Sequence, residues 1–81
     1  MHVTVKLHAT LRKYLPPRSK DNAMLLEMPE EATVSDVLTR LGIPLDHAKM
    51  IVSHDEYLEP TTVLRDGQEV NLFPPLAGGG A

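Results

Sequence analysis

A chain of 81 residues, 42% of them hydrophobic and 23% charged, has room for one small domain and too much apolar content for wholesale disorder; such a domain has a radius of gyration of about 12 Å and buries roughly 60–65% of its unfolded surface. The absence of Cys excludes disulfides, a thiol nucleophile and thiolate metal ligands, so any sulfur chemistry must use sulfur brought from outside. The net charge of −3 and an aromatic set of Tyr14, Tyr57 and Phe73 speak against nucleic-acid binding.

The chain opens on a strand, with Val3, Val5 and Leu7 on one face and His2, Thr4, Lys6 and His8 on the other. No basic region precedes a long apolar run, and no stretch approaches the ~20 residues that cross a bilayer, so a cytoplasmic protein is expected. Leu11, Tyr14 and Leu15 fall at helical spacing, but Pro16-Pro17 closes that segment as a short helix at the core edge. A basic loop, Arg18 to Asn22, leads to Ala23–Met28, whose blurred alternation predicts the second strand of a hairpin, ended by Pro29.

Thr33 begins the main helix: its hydroxyl can cap backbone N–H groups, and Asp36 three residues on completes a capping box with Asp in place of the usual Glu. Val34, Val37, Leu38 and Leu41 form one apolar stripe, Gly42 ends it and Pro44 prevents its continuation. About eight residues of helix are unstable alone and need a sheet to cover. Met50-Ile51-Val52 predicts a third strand, Asp55-Glu56-Tyr57 a turn with a short edge, and Asp66-Gly67 a tight turn into the last strand, Glu69–Phe73. There Val70 and Leu72 share a face, which turns Phe73 to the other face with Asn71 and Glu69. The order β, β, α, β, short β, β describes an α+β mixed sheet with one helix packed across it.

Most of the polar groups have plain explanations. His2 and His8 lie roughly 20 Å apart on an extended strand and cannot chelate one ion, and His47 and His54 are expected as solvent-exposed positions, so no metal site is assigned. Asp55, Glu56 and Glu59 suit a solvated turn better than a cation site. Met24, Met28 and Met50 are expected as core filler. Charge is uneven along the chain: Lys6, Arg12, Lys13, Arg18 and Lys20 precede every acid, and all eleven acids lie in residues 21–81. An acid-rich face would steer a basic partner, against the simpler expectation of a mixed, solvated surface.

The last nine residues, Phe73-Pro74-Pro75-Leu76-Ala77-Gly78-Gly79-Gly80-Ala81, do not suit a core. Glycine carries the largest ordering entropy of any residue, yet it lets a backbone pass where a side chain would clash. Two prolines fix extended φ angles and project the residues after them away from the sheet. From Leu76 to Gly79 the extended reach is about 13–14 Å, enough to enter another protein. The expected organisation is a folded domain at 1–75 and a flexible tail at 76–81, with Phe73 contacting a partner.

The run Leu64-Arg65-Asp66-Gly67-Gln68-Glu69-Val70-Asn71-Leu72-Phe73-Pro74-Pro75-Leu76-Ala77-Gly78-Gly79, with Thr33-Val34-Ser35-Asp36-Val37-Leu38 in the helix, resembles the MoaD/ThiS sulfur-carrier family, most of all the small subunit of molybdopterin synthase. The resemblance spans essentially the whole chain. It implies a β-grasp, ubiquitin-like fold and a chain that is not itself an enzyme and binds no cofactor. In such proteins an E1-like partner uses ATP to adenylate the terminal glycine, the acyl adenylate becomes a thiocarboxylate, and the large synthase subunit receives it for transfer of sulfur to a pterin precursor. On this sequence the resemblance makes Gly79 the reactive terminus, Gly78 the residue that permits threading, and Phe73, Pro74, Pro75, Leu76 and Ala77 the partner-facing segment.

Gly80 and Ala81 depart from that pattern by extending past the diglycine. Trimming by a protease to expose Gly79 is the favoured expectation, against cleavage after Gly80, a reactive Ala81, or two residues foreign to the natural chain. Sulfur transfer to a thiamine precursor or another acceptor, conjugation to target lysines as a protein modifier, and a noncovalent β-grasp binding module remain as alternatives. Neither nucleic acid nor membrane is an expected partner.

Overall fold

The computed structural model describes residues 1–75, which form a mixed sheet crossed by a single α-helix. Strand β1 (His2–Leu7) buries Val3, Val5 and Leu7 completely, as its alternation requires. It pairs antiparallel with β2 (Ala23–Glu27) and parallel with β5 (Gln68–Phe73). Strand β3 (Met50–Ser53) adds antiparallel to the other side of β5, and the two-residue β4 (Glu56–Tyr57) closes that edge, giving the order β2-β1-β5-β3-β4. A parallel pair cannot be joined by a tight hairpin. The long connection between β1 and β5 supplies α1 (Val34–Leu41), and Val34, Val37 and Leu38 are buried in one core with Val70, Leu72 and Ile51 of the strands.

The helix starts where the sequence places it. Thr33 Oγ1 accepts from the Asp36 N–H at 3.2 Å, and Asp36 Oδ2 accepts from the Thr33 N–H at 2.8 Å, so the capping box is complete in both directions. Gly42 closes the helix at φ 75°, the left-handed conformation that favours glycine. Because eight residues hold little intrinsic helicity, removal of the cap should be felt globally. Thr33→Ala is expected to cost about 1 kcal/mol, lowering the midpoint of a thermal melt by roughly 4–8 °C. An unchanged midpoint would show that the sheet alone holds the helix.

Three local readings are refined or corrected. The segment before Pro16-Pro17 is a 3₁₀ helix, Ala9–Tyr14, that buries Leu11; Leu15 then adopts ψ 144°, the extended geometry imposed by a following proline. A second 3₁₀ turn, Leu45–His47, comes after Pro44. Met28 is buried and Met24 packs against the core, but Met50 is 39% exposed and is not core filler. Its neighbour Ile51 takes the inward position, and the pairing Met50↔Phe73 puts Met50 on the opposite side of the sheet.

Asp66-Gly67 acts as the turn its composition suggests. Gly67 adopts φ 83°, its N–H donates to the His2 carbonyl at 2.7 Å, and Asp66 Oδ1 accepts from the His2 N–H at 2.7 Å, tying the start of β5 to the start of β1. The buried Ser53 escapes sequence reasoning. Its hydroxyl donates to the Glu69 carbonyl at 2.7 Å and accepts from Gln68 Nε2 at 2.9 Å, so this inward-facing polar group is fully satisfied.

Candidate functional site at the end of the last strand

The site is set by how β5 ends. Up to Phe73 its backbone is held on both sides: the His8 N–H donates to the Leu72 carbonyl at 3.2 Å, and the Lys49 N–H donates to the Phe73 carbonyl at 3.0 Å. Pro74 and Pro75 have no N–H to extend the ladder. The point at which the chain leaves the sheet is therefore fixed by hydrogen bonds that stop at the first proline.

Phe73 lies on the sheet face opposite the helix, as strand parity predicts, and is half-buried. Its ring stacks on His8 with centroids 4.3 Å apart and planes 7° from parallel. His8 in turn meets Asn71 Oδ1 through Nε2 at 3.0 Å, while Asn71 Nδ2 makes long contacts of 3.5 Å to the Val52 carbonyl and Glu69 Oε2. With Asn71 so oriented, its oxygen accepts and His8 donates from Nε2. Lys6 Nζ and Glu69 Oε2 lie 3.6 Å apart in the same polar row. The result is an aromatic platform held from below by a hydrogen-bonded network.

Beside this platform, Ala9, Thr10, Met50 and the two prolines line an open apolar groove of about 670 Å³ with Lys49 at its rim. On the other flank of the Pro74-Pro75 ridge a smaller hollow is lined by Thr10, Leu11, Lys13, Tyr14 and His47. Of the residues singled out from sequence, Phe73, Pro74 and Pro75 come together here. Leu76, Ala77, Gly78, Gly79, Gly80 and Ala81 lie outside the described residues. His8, Lys49 and Met50 belong to the site and were not foreseen as members of it; only the parallel pairing of β1 with β5 and the Met50↔Phe73 register bring them beside Phe73. Among the described residues, no group of three or more His, Asp or Glu side chains is placed to hold a metal ion. Nor is any described helix long and apolar enough to cross a membrane.

Residues 1–77 match the family described as Mut7-C ubiquitin. The chain belongs to that family. The Mut7-C ubiquitin chain is also 32% identical, over 71 residues, to a molybdopterin synthase sulfur carrier subunit of Drosophila erecta, a match spanning 78% of this chain and 73% of that protein. It is therefore a MoaD-like protein, in agreement with the resemblance carried by its C-terminal block. Among solved structures it is similar to SAMP1 of Haloferax volcanii, with TM-score 0.71 and 23% identity over 98% of this chain and 100% of the other. It is similar too to a Pyrococcus furiosus protein assigned as molybdopterin converting factor, subunit 1, with TM-score 0.69 and 22% identity over 93% and 98% of the two chains. At these identities the structural likenesses carry the fold alone, a β-grasp, ubiquitin-like one.

Proposed function

We propose that this Mut7-C ubiquitin chain is a sulfur carrier of the molybdopterin-synthase small-subunit type, with Gly79 as the residue that bears the sulfur. The observation that carries the reading is the 32% identity to a molybdopterin synthase sulfur carrier subunit. It is supported by the way β5 delivers Phe73-Pro74-Pro75 to the sheet end immediately before Leu76-Ala77-Gly78-Gly79.

The chemistry needs little from the chain beyond a free glycine carboxylate. A carboxylate is a poor electrophile because its oxygen leaves badly. An E1-like partner would transfer AMP from ATP to that oxygen, releasing pyrophosphate; sulfide from a donor would then attack the acyl carbon and expel AMP, leaving a thiocarboxylate. In a large synthase subunit the thiocarboxylate sulfur would attack a carbon of a pterin precursor and displace an oxygen leaving group, and water would hydrolyse the resulting thioester, leaving the sulfur on the pterin and restoring the glycine carboxylate. Positioning and charge stabilisation would be supplied by these partners, and the chain itself would be a reactant. A protease removing Gly80 and Ala81 would expose the reactive carboxylate, since a β-carbon at the terminus would fill space that a glycine-shaped channel leaves to backbone.

Incubation of the chain ended at Gly79 with an E1-like enzyme, ATP, a sulfur donor and candidate target proteins, with intact-mass analysis of the products, tests the proposal. Replacement of one oxygen by sulfur supports the carrier; an adduct on a target lysine identifies a modifier; an unchanged chain identifies a noncovalent module. Phe73 supplies a second test. Phe73→Ala removes a half-buried ring and an aromatic stack worth about 0.5–1.5 kcal/mol, so the variant should still melt cooperatively. Binding to the activating or large subunit should fall by roughly thirtyfold, the loss of one interface hot spot. Loss of folding without a selective binding defect would return Phe73 to a purely structural role.

A further inference from the structure

Net charge and the surface at the tail exit point in opposite directions. The whole chain is acidic, but β1 and β5 run parallel, so the end of β1, the 3₁₀ helix after it and the end of β5 meet at one pole of the sheet. The antiparallel β3 starts at the same pole, with Met50 opposite Phe73. This gathers Lys13 and Lys49 onto the two flanks of the Pro74-Pro75 ridge, and among the described residues no Asp or Glu lines either groove. Arg12 is exposed on the same 3₁₀ helix as Lys13. Glu69, the acid on this sheet face two residues from Asn71, lies 3.6 Å from Lys6, and Asp46 sits in the 3₁₀ turn beside His47. Asp55, Glu56 and Asp66 are exposed near the opposite pole, around the β3-β4 turn and the turn that opens β5.

We propose that the Pro74-Pro75 ridge, with the groove on one flank and the smaller hollow on the other, docks an extended partner segment of alternating acidic and apolar residues that crosses the ridge from Lys49 to Lys13. Its apolar side chains would sit on Met50, Phe73 and the prolines, and its carboxylates would meet Lys13 and Lys49. This rests on reading the end of β5 as the partner-facing pole, and it names the partner's chemistry; it does not depend on thiocarboxylate formation. It runs against the weaker reading of the sequence, an acid-rich face that steers a basic partner. The cations at the rim set encounter and register, and the apolar floor supplies contact area, the division of roles usual at interfaces.

The test is an NMR titration of the ¹⁵N-labelled full chain with three capped hexapeptides, Glu-Val-Glu-Leu-Glu-Phe, its Lys counterpart and its Gln counterpart. The acidic peptide should bind most tightly, shift the amide resonances of Thr10, Lys13, Lys49, Met50 and Phe73, and weaken with added salt. Lys13→Glu with Lys49→Glu, both at exposed positions, should weaken it by about tenfold and favour the Lys peptide, as two reversed surface charges imply. Lys13→Gln with Lys49→Gln should give an intermediate loss, and Asp55→Lys with Glu56→Lys should give none. Equal or tighter binding of the Lys peptide, shifts centred elsewhere, no shifts at all, or displacement of the acidic peptide by a single-stranded RNA oligonucleotide would each overturn the proposal. Because no activation step is involved, failure here leaves the intact-mass assay untouched, and failure there leaves this titration interpretable.

Discussion

Ending the chain after Gly78 is expected to abolish activation by an E1-like enzyme, whereas ending it after Gly79 should give a chain that is activated without any protease. One residue of extended backbone spans about 3.3–3.6 Å, and a displacement of about 1 Å from productive geometry already costs on the order of a hundredfold in rate. On the proposal that Gly79 is the reacting terminus, a chain ended at Gly78 would stop short of the reacting phosphate, and one ended at Ala81 would overshoot it with a methyl group attached. The contrast is readable as ATP-pyrophosphate exchange in the presence of each form. Thermal midpoints should be the same for all three, because among the described residues Leu72 is the last of the buried core. Equal exchange by the Gly78 and Gly79 forms would remove Gly79 from the mechanism.

Leu72→Ala should have the largest effect on stability. Leu72 is fully buried, its backbone is paired with Leu7 on one side and Ile51 on the other, and it immediately precedes Phe73. Truncation of a buried leucine costs about 2–5 kcal/mol, against a total of roughly 4–12 kcal/mol for a domain of this size. At about 4–8 °C per kcal/mol, a loss of roughly 3 kcal/mol lowers the melting midpoint by about 12–24 °C. A drop of less than about 4 °C would mean that neighbouring side chains collapse into the cavity. Activation by an E1-like enzyme, assayed well below the midpoint, should fall far less than in the Gly78-terminated chain, because Gly79, the proposed reacting residue, follows Leu72 by seven positions in the sequence.

The features legible in the residues were local ones. The alternation of Val3, Val5 and Leu7, the capping box of Thr33 and Asp36, and the Asp66-Gly67 turn each depend on neighbours within a few positions, and each forms as expected. Met50 was misjudged because three residues of strand do not reveal which parity faces the helix; that depends on the register of β3 against β5. The stack of His8 on Phe73 joins residues at the ends of two parallel strands, and no spacing in the sequence signals it. The polarity of the molecule was half visible. The run of cations before residue 21 was plain, but only the strand order places one of its members, Lys13, beside the Pro74-Pro75 ridge together with Lys49.

The most direct test of the central claim is the intact mass of the chain after incubation with an E1-like enzyme, ATP, a sulfur donor and an extract of the source cells as the source of the proposed trimming activity, with fragmentation to locate the sulfur. The expected product ends at Gly79 and carries sulfur in place of one carboxylate oxygen. Sulfur on Ala81 or on any other residue, or a chain left unmodified while the enzyme turns over ATP on it, would contradict the account.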